Sequence, residues 1–441
     1  MSAERSLGPT PADKRIRLLD YLRGIAVCGI LPVNIIVMGT VGGTEGRTFP
    51  ARLDADWISW SIQCLFLEGA MRGLFTLLFG AGMLMMLRRT EGDTPQVAPI
   101  DIWTRRCLAL LLFGVIHFAL LLWPGEILWT YGVAGFALLA FRSARPATLW
   151  IAALIILASL SAFRAYDTGT WVARYQLAAT AELAQQQGQT LTQEQKTALE
   201  TAQEVKNSVY PGEAARRAEI DQRTHLGPLL SWSAAGWASR HLGNYSWLGV
   251  AESLSFMLIG MALFRSGVLT GNCSFRKYMK MAAIGISFGL ALRTLDFLWQ
   301  ARTGFELDIH RLNLSVSLLR SASYEPARLA LTLGYIGLIA LLFRQRAPAR
   351  SGFLEALGRM ALTAYTLQSL LTSALFYGFG TFGTFGYAAL AAISAAIWFV
   401  SGTFCLWWLR HFSIGPAEWL LRAIAYGRLP RLRAPVSAPL L

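Results

Sequence analysis

His117 is the residue whose type and setting most suggest chemistry. Of five histidines it alone lies inside a long apolar run, Leu108–Trp123, whereas His225, His241, His310 and His411 fall in loops or at boundaries. A neutral imidazole tolerates low dielectric and exchanges protons near neutral pH. Glu126 follows across the tight Pro124-Gly125 turn, where a carboxylate facing His117 would fix its tautomer and stabilise its charged form. Further polar groups interrupt other apolar runs: Asn34, Glu68, Arg72, Glu252, Arg293, Asp296 and Arg328. A charge at the centre of a bilayer costs roughly 2.5–3.5 kcal/mol on insertion scales, so each such residue needs a partner or a function. Glu68 and Arg72 are four apart, and Arg293 and Asp296 three apart, spacings that pair side chains on one helix face. Asp20 and Arg23, with Arg88, Arg89, Arg105 and Arg106 expected at similar depth, suit an anion site for a phosphate-bearing ligand.

The elements that must position these residues are membrane spans. Of the 441 residues 54% are hydrophobic and 15% charged, with a mean hydropathy of +0.43, too little polar surface to cover a water-facing globule. The net charge of +14 sits in short clusters between apolar runs, such as Arg276-Lys277. That pattern fits cytoplasmic loops and anionic head groups and excludes nucleic acid as a partner. The five cysteines are scattered without CxxC or Cys/His ligand spacing, so neither a disulfide framework nor a metal is expected.

A span needs roughly twenty apolar residues. That template predicts ten, near 19–40, 68–88, 105–123, 125–142, 147–166, 246–265, 277–298, 326–344, 355–378 and 385–409. Basic residues alternate with them. The turns Pro124-Gly125 and Gly378–Gly386 carry no Lys or Arg, while Arg142, Arg145, Arg265, Lys280, Arg344, Arg346 and Arg350 fall on the opposite side. The expected architecture is therefore an all-α polytopic membrane bundle of about ten transmembrane helices with both termini cytoplasmic. In that topology the polar residues from Asn34 to Arg328 share the outer half of the membrane. Four segments result: an N-terminal bundle over 1–166, a polar helical extracytoplasmic insert over 167–245, a C-terminal bundle over 246–412, and an interfacial amphipathic helix with a basic tail over 413–441. Within the insert, Glu194–Lys206 suits a helix and Tyr210-Pro211-Gly212 breaks one.

Several stretches resemble the bacterial YeiB family of membrane proteins. They are Arg17-Leu18-Leu19-Asp20-Tyr21-Leu22-Arg23-Gly24-Ile25-Ala26 with Pro32-Val33-Asn34-Ile35; Glu68-Gly69-Ala70-Met71-Arg72-Gly73; and Gly114-Val115-Ile116-His117 with Gly125-Glu126-Ile127-Leu128-Trp129-Thr130-Tyr131. Gly358-Arg359-Met360-Ala361-Leu362-Thr363-Ala364-Tyr365 with Gln368-Ser369, and Phe412-Ser413-Ile414-Gly415-Pro416-Ala417-Glu418-Trp419, complete the set. The family is distantly similar to transmembrane acyltransferases, including heparan glucosaminide acetyltransferase, through the Leu-Asp-x-Leu-Arg-Gly opening.

That similarity implies acyl-CoA as a cytosolic co-substrate and an extracytoplasmic or lipid-linked acceptor, in a bacterial cytoplasmic membrane. It casts His117 as general base or acyl acceptor oriented by Glu126, with Arg72 and Asn34 polarising the thioester carbonyl and Glu68 holding Arg72. Asp20, Arg23, Arg105 and Arg106 would form the donor mouth, and Arg293, Asp296, Gln368 and Tyr131 would contact substrate. No histidine occurs between Met1 and Ile116, so retained chemistry must use His117. The alternative expectation is a transporter or flippase whose polar cluster binds an amphipathic solute. The sequence leaves the oligomeric state open, a homodimer included.

Overall fold

A computed structural model describes residues 15–42, 53–90, 98–209, 211–303, 308–345 and 352–433, without the side chains of 88–90, 208, 209 and 345. Arg88, Arg89, Arg346 and Arg350 thus lie outside the described side chains. The described chain is helical throughout, with sixteen α-helices. They are α1 (Arg17–Gly39), α2 (Ala55–Ile62), α3 (Ala70–Thr90), α4 (Pro99–Leu121), α5 (Leu128–Leu138), α6 (Pro146–Gln186), α7 (Gln193–Val209) and α8 (Glu213–Thr224). After these come α9 (Leu226–Leu242), α10 (Ser246–Arg265), α11 (Phe275–Thr303), α12 (Leu314–Gln345), α13 (Gly352–Arg359), α14 (Ala361–Ser373), α15 (Tyr387–His411) and α16 (Pro416–Tyr426).

Among the described residues eight helical segments are long and apolar enough to cross a membrane. The other two expected spans differ in form. The fourth is the shorter apolar helix Leu128–Phe141. The ninth is broken: α13 ends at Arg359, α14 restarts at Ala361, and a π-turn over Ala374–Gly378 closes it. The molecule is a multi-pass membrane bundle.

Burial separates its centre from its rim. In α1 and α10, 67% of the most apolar window is buried, against 22% in α6 and 28% in α4 and α11. The centre is thus α1, α3 and α10, whose Leu22, Leu74, Leu77, Phe256 and Met257 are sealed from solvent. The rim helices turn Leu120, Ile155, Ile284, Leu295 and Phe399 outward, as lipid-facing surfaces require.

Two local features set the geometry that matters for function. The run Ala55–Leu87 does not continue straight through Glu68. A π-turn over Gln63–Leu67 ends there, Glu68 has ψ 124°, and Gly69 takes φ +73° before α3 begins. Glycine carries that conformation at no steric cost. The second feature is the close approach of α11 and α12, where Gly285 lies against the backbone of Gly334.

α6 is 41 residues long and runs unbroken through residue 166, where the sequence suggests the insert begins. At ~1.5 Å per residue it reaches about 60 Å, roughly twice the hydrocarbon thickness. α7 folds back along α6, while α9 packs on α4 and α10. The break expected at Tyr210-Pro211-Gly212 separates α7 from α8.

Candidate functional site

The polar residues assemble into three groups. The first surrounds His117, whose Nε2 lies 2.9 Å from Ser369 Oγ on α14 and whose ring stacks on Tyr365, centroids 4.9 Å apart. His117 is buried, and among the described residues it makes no hydrogen bond or ion pair to Glu126. The α4–α5 turn explains why. Leu122 takes the left-handed conformation, and Glu126 bends back to cap the helix it precedes, accepting from the amides of Leu128 at 2.5 Å and Trp129 at 3.1 Å. Trp237 Nε1 of α9 donates to the same carboxylate at 3.2 Å. The imidazole beside Glu126 is therefore His241, its Nε2 3.3 Å away. Burial first, and Arg240 second, push the His241 pKa down to about 4, so it is neutral at physiological pH. The expected orientation of His117 by Glu126 is replaced by Ser369.

The second group is an ion network joining four helices. Arg72 on α3 and Arg328 on α12 both grip Glu252 on α10, at 2.8 and 2.7 Å. Arg328 also reaches Glu325 at 3.1 Å, and Arg164 on α6 reaches Glu325 at 3.2 Å. The partner of Arg72 is thus Glu252, not Glu68. The break at Glu68–Gly69 removes the helical register that a four-residue spacing assumes, and Glu68 gives its backbone carbonyl to Arg293. Arg293 also pairs with Asp296 at 3.7 Å, and Arg320 holds Asp296 at 3.0 Å. The Tyr324 ring sits between Arg164, Arg293 and Arg328 at 4.7–5.3 Å. Asn34 is half-buried on α1, and its side chain makes no hydrogen bond to a described residue.

The third group lines a cavity of about 270 Å³ enclosed by α1, α3, α4, α5, α13, α14 and α16. Phe75, Phe79, Met85 and Met86 form an apolar part of its wall, and Arg23, Arg106, Arg359 and Arg422 also line it. Asp20 holds Arg23 at 3.2 Å. Arg106 packs over the rings of Phe79 and Trp103. Neither Arg106 nor Arg359 makes an ion pair with any described residue. Arg105 faces outward and is not among the lining residues. α16 closes one side, anchored by Glu418, which accepts from the amides of Leu362 at 2.7 Å and Thr363 at 3.1 Å. The amphipathic helix expected in the tail is thus a wall of the cavity.

Tyr131 and Tyr365 also line this cavity. Tyr131 bonds Thr76, one helical turn from Arg72. Tyr365 carries His117 stacked on its ring. The two tyrosines therefore connect the cavity to the first two groups. Gln368 is buried, its amide nitrogen without a hydrogen-bond partner among the described residues.

Sequence reasoning missed Ser369, His241, Trp237, Arg164, Glu325 and Arg359. Arg359 lay within an expected span and carried a usable signal, an intramembrane cation. Arg164 and Glu325 sit at the ends of expected spans, where a charge looks unremarkable. His241 belongs to the insert, and nothing local shows that α9 docks against the α4–α5 turn.

Comparison with known proteins gives a consistent kinship. Residues 263–428 match a family described as "Protein of unknown function (DUF418)". The chain is 31% identical over 439 residues to the uncharacterized protein YxaH of Bacillus subtilis, covering 96% of each chain. It is 30% identical over 422 residues to the uncharacterized protein YeiB of Escherichia coli, covering 92% of this chain and 95% of that one. A 39.9 kDa protein of Bacillus acidopullulyticus is 34% identical over 161 residues, 36% of this chain and 43% of that one. No solved structure matches.

Proposed function

Because the chain belongs to the YeiB-like family of membrane proteins of unknown function, we propose its activity from the site itself: transfer of an acyl group from acyl-CoA to an acceptor reaching the site from the opposite side of the membrane. The observation that carries this reading is the cavity that joins Arg106 and Arg359, which make no ion pair with a described residue, to Tyr365, on which the His117–Ser369 pair rests. A thioester donor is an amphiphilic anion. Arg23, Arg106 and Arg359 suit its phosphates, and the apolar walls suit its acyl end. His117 acts as general base. It takes the proton of the acceptor hydroxyl as that oxygen attacks the thioester carbonyl, the carbon–sulfur bond breaks, and CoA leaves as the thiol once protonated. Ser369 selects the imidazole tautomer. Arg72, held by Glu252, supplies positive potential beyond Tyr131.

In this reading the cavity opens to the cytoplasm of a bacterial cell, both termini are cytoplasmic, and the α7–α9 region is outside. Reporter fusions test the orientation: a fusion after Arg350 should report cytoplasm, and one near Gln187 the far side.

The activity test is thioester turnover by purified protein over a panel of acyl-CoA donors and candidate acceptors, with donor binding measured in parallel. His117→Ala should lower turnover about 10²–10⁴-fold while leaving donor binding within a few fold. Ser369→Ala should cost less and shift the pH profile, because it alters a partner of the base. Glu126→Gln should leave turnover nearly unchanged, since Glu126 holds α9. If wild-type protein neither binds nor consumes any acyl-CoA, the enzyme reading is abandoned. Uptake of an amphipathic solute into proteoliposomes, without thioester cleavage, would replace it with transport.

A further inference from the structure

A second cavity shares no lining residue with any of the three groups. It is a groove of about 810 Å³ between α11 and α12 on the rim of the bundle. Close packing at Gly285 and Gly334 forms its floor, and Ile284, Phe288 and Leu333 line its length. Ile284 and Phe288 are 68% and 53% exposed, which places the groove on the lipid side of the helices.

One end differs from ordinary lipid-facing surface. Arg276, Lys277 and Lys280 line it, all exposed, and none forms an ion pair with a described residue. The sequence supplies no nearby counter-charge, for no Asp or Glu occurs between Glu252 and Asp296. From Arg276 to Phe288 the helix rises about 18 Å, close to one leaflet of a hydrocarbon layer ~30 Å thick. A groove one leaflet long, apolar along its length and cationic at its head, has the amphiphilic order of a phospholipid with a negative headgroup.

We propose that this groove seats one anionic phospholipid, its phosphate on Arg276, Lys277 and Lys280 and its chains along Ile284, Phe288 and Leu333. The assignment is independent of the acyl-transfer reading, because the site shares no residue with the His117 group, the ion network or the arginine-lined cavity.

The test is native mass spectrometry of the full chain in neutral detergent, titrated with phosphatidylglycerol or phosphatidylcholine of identical chains. Wild-type protein should retain one phosphatidylglycerol at least tenfold more tightly than phosphatidylcholine. The triple variant R276Q/K277Q/K280Q should lose that preference, a drop of roughly 10–100-fold. Phe288→Trp, which fills the groove, should weaken both lipids. A control triple, R428Q/R431Q/R433Q, removes equal charge elsewhere and should leave retention unchanged. Equal binding of the two lipids, or equal loss in the two triple variants, would overturn the site in favour of a general basic surface. Full displacement by millimolar inorganic phosphate would overturn it in favour of a free-anion site. Thermal unfolding of each variant, expected within a degree or two of wild type, shows that these losses are not unfolding.

Discussion

Two clusters of arginines occupy this bundle, and they are built on opposite principles. Around Glu252, the guanidinium groups of Arg72, Arg164 and Arg328 interlock with two carboxylates across α3, α6, α10 and α12. Around the α16-walled cavity, Arg106 and Arg359 make no ion pair with a described residue, and Asp20 is held by Arg15 and Arg23. The difference separates holding from waiting. A buried charge with satisfied partners ties helices together, whereas a cation without a described carboxylate partner beside a cavity supports the donor site proposed above.

The comparison breaks most sharply at Arg328. Arg328→Met strips Glu252 and Glu325 of their shared cation and should destabilise the fold by about 3–5 kcal/mol, seen as a large fall in the unfolding midpoint in detergent. Arg359→Gln should do the reverse. Stability should stay within about 1 kcal/mol, while acyl-CoA binding weakens roughly tenfold, the scale of one lost charge-assisted hydrogen bond. The mildest probe is salt. Raising ionic strength from 0.05 to 0.5 M should weaken donor binding several-fold and leave the unfolding midpoint almost fixed, because association of a charged donor from solution is screened whereas the Arg328–Glu325 pair at the centre of the network is sealed from solvent. Equal sensitivity of both clusters to salt would remove the distinction.

The membrane architecture was legible in the sequence because hydrocarbon thickness imposes a length that composition reveals directly. Thus α1, α10, α11 and α15 fall close to their expected places. Individual partners were less legible. The Glu68–Arg72 spacing misled because it presupposes a continuous helix, and the π-turn before Gly69 leaves only that glycine as a sequence trace. Glu126 misled for a related reason: a carboxylate just before a helix is as suited to capping its first amides as to facing a histidine. Ser369 and His241 meet their partners only through tertiary packing between helices hundreds of residues apart in one case and across an insert in the other, which no local pattern encodes.

The length of α6 carries a consequence for measurement. A continuous helix of 41 residues, packed in the bundle at one end and flanked mainly by α7 toward the other, is a pointer. A tilt of about 5° at its base sweeps its tip by about 5 Å, given a reach of roughly 60 Å. Arg164, near the middle of α6, couples the helix to the ion network, and a side chain placed at Gly188 would meet nothing within 4 Å. A spin label or fluorophore placed beside Gly188 therefore reads rearrangement deep in the bundle as displacement in water, where distances are easiest to record.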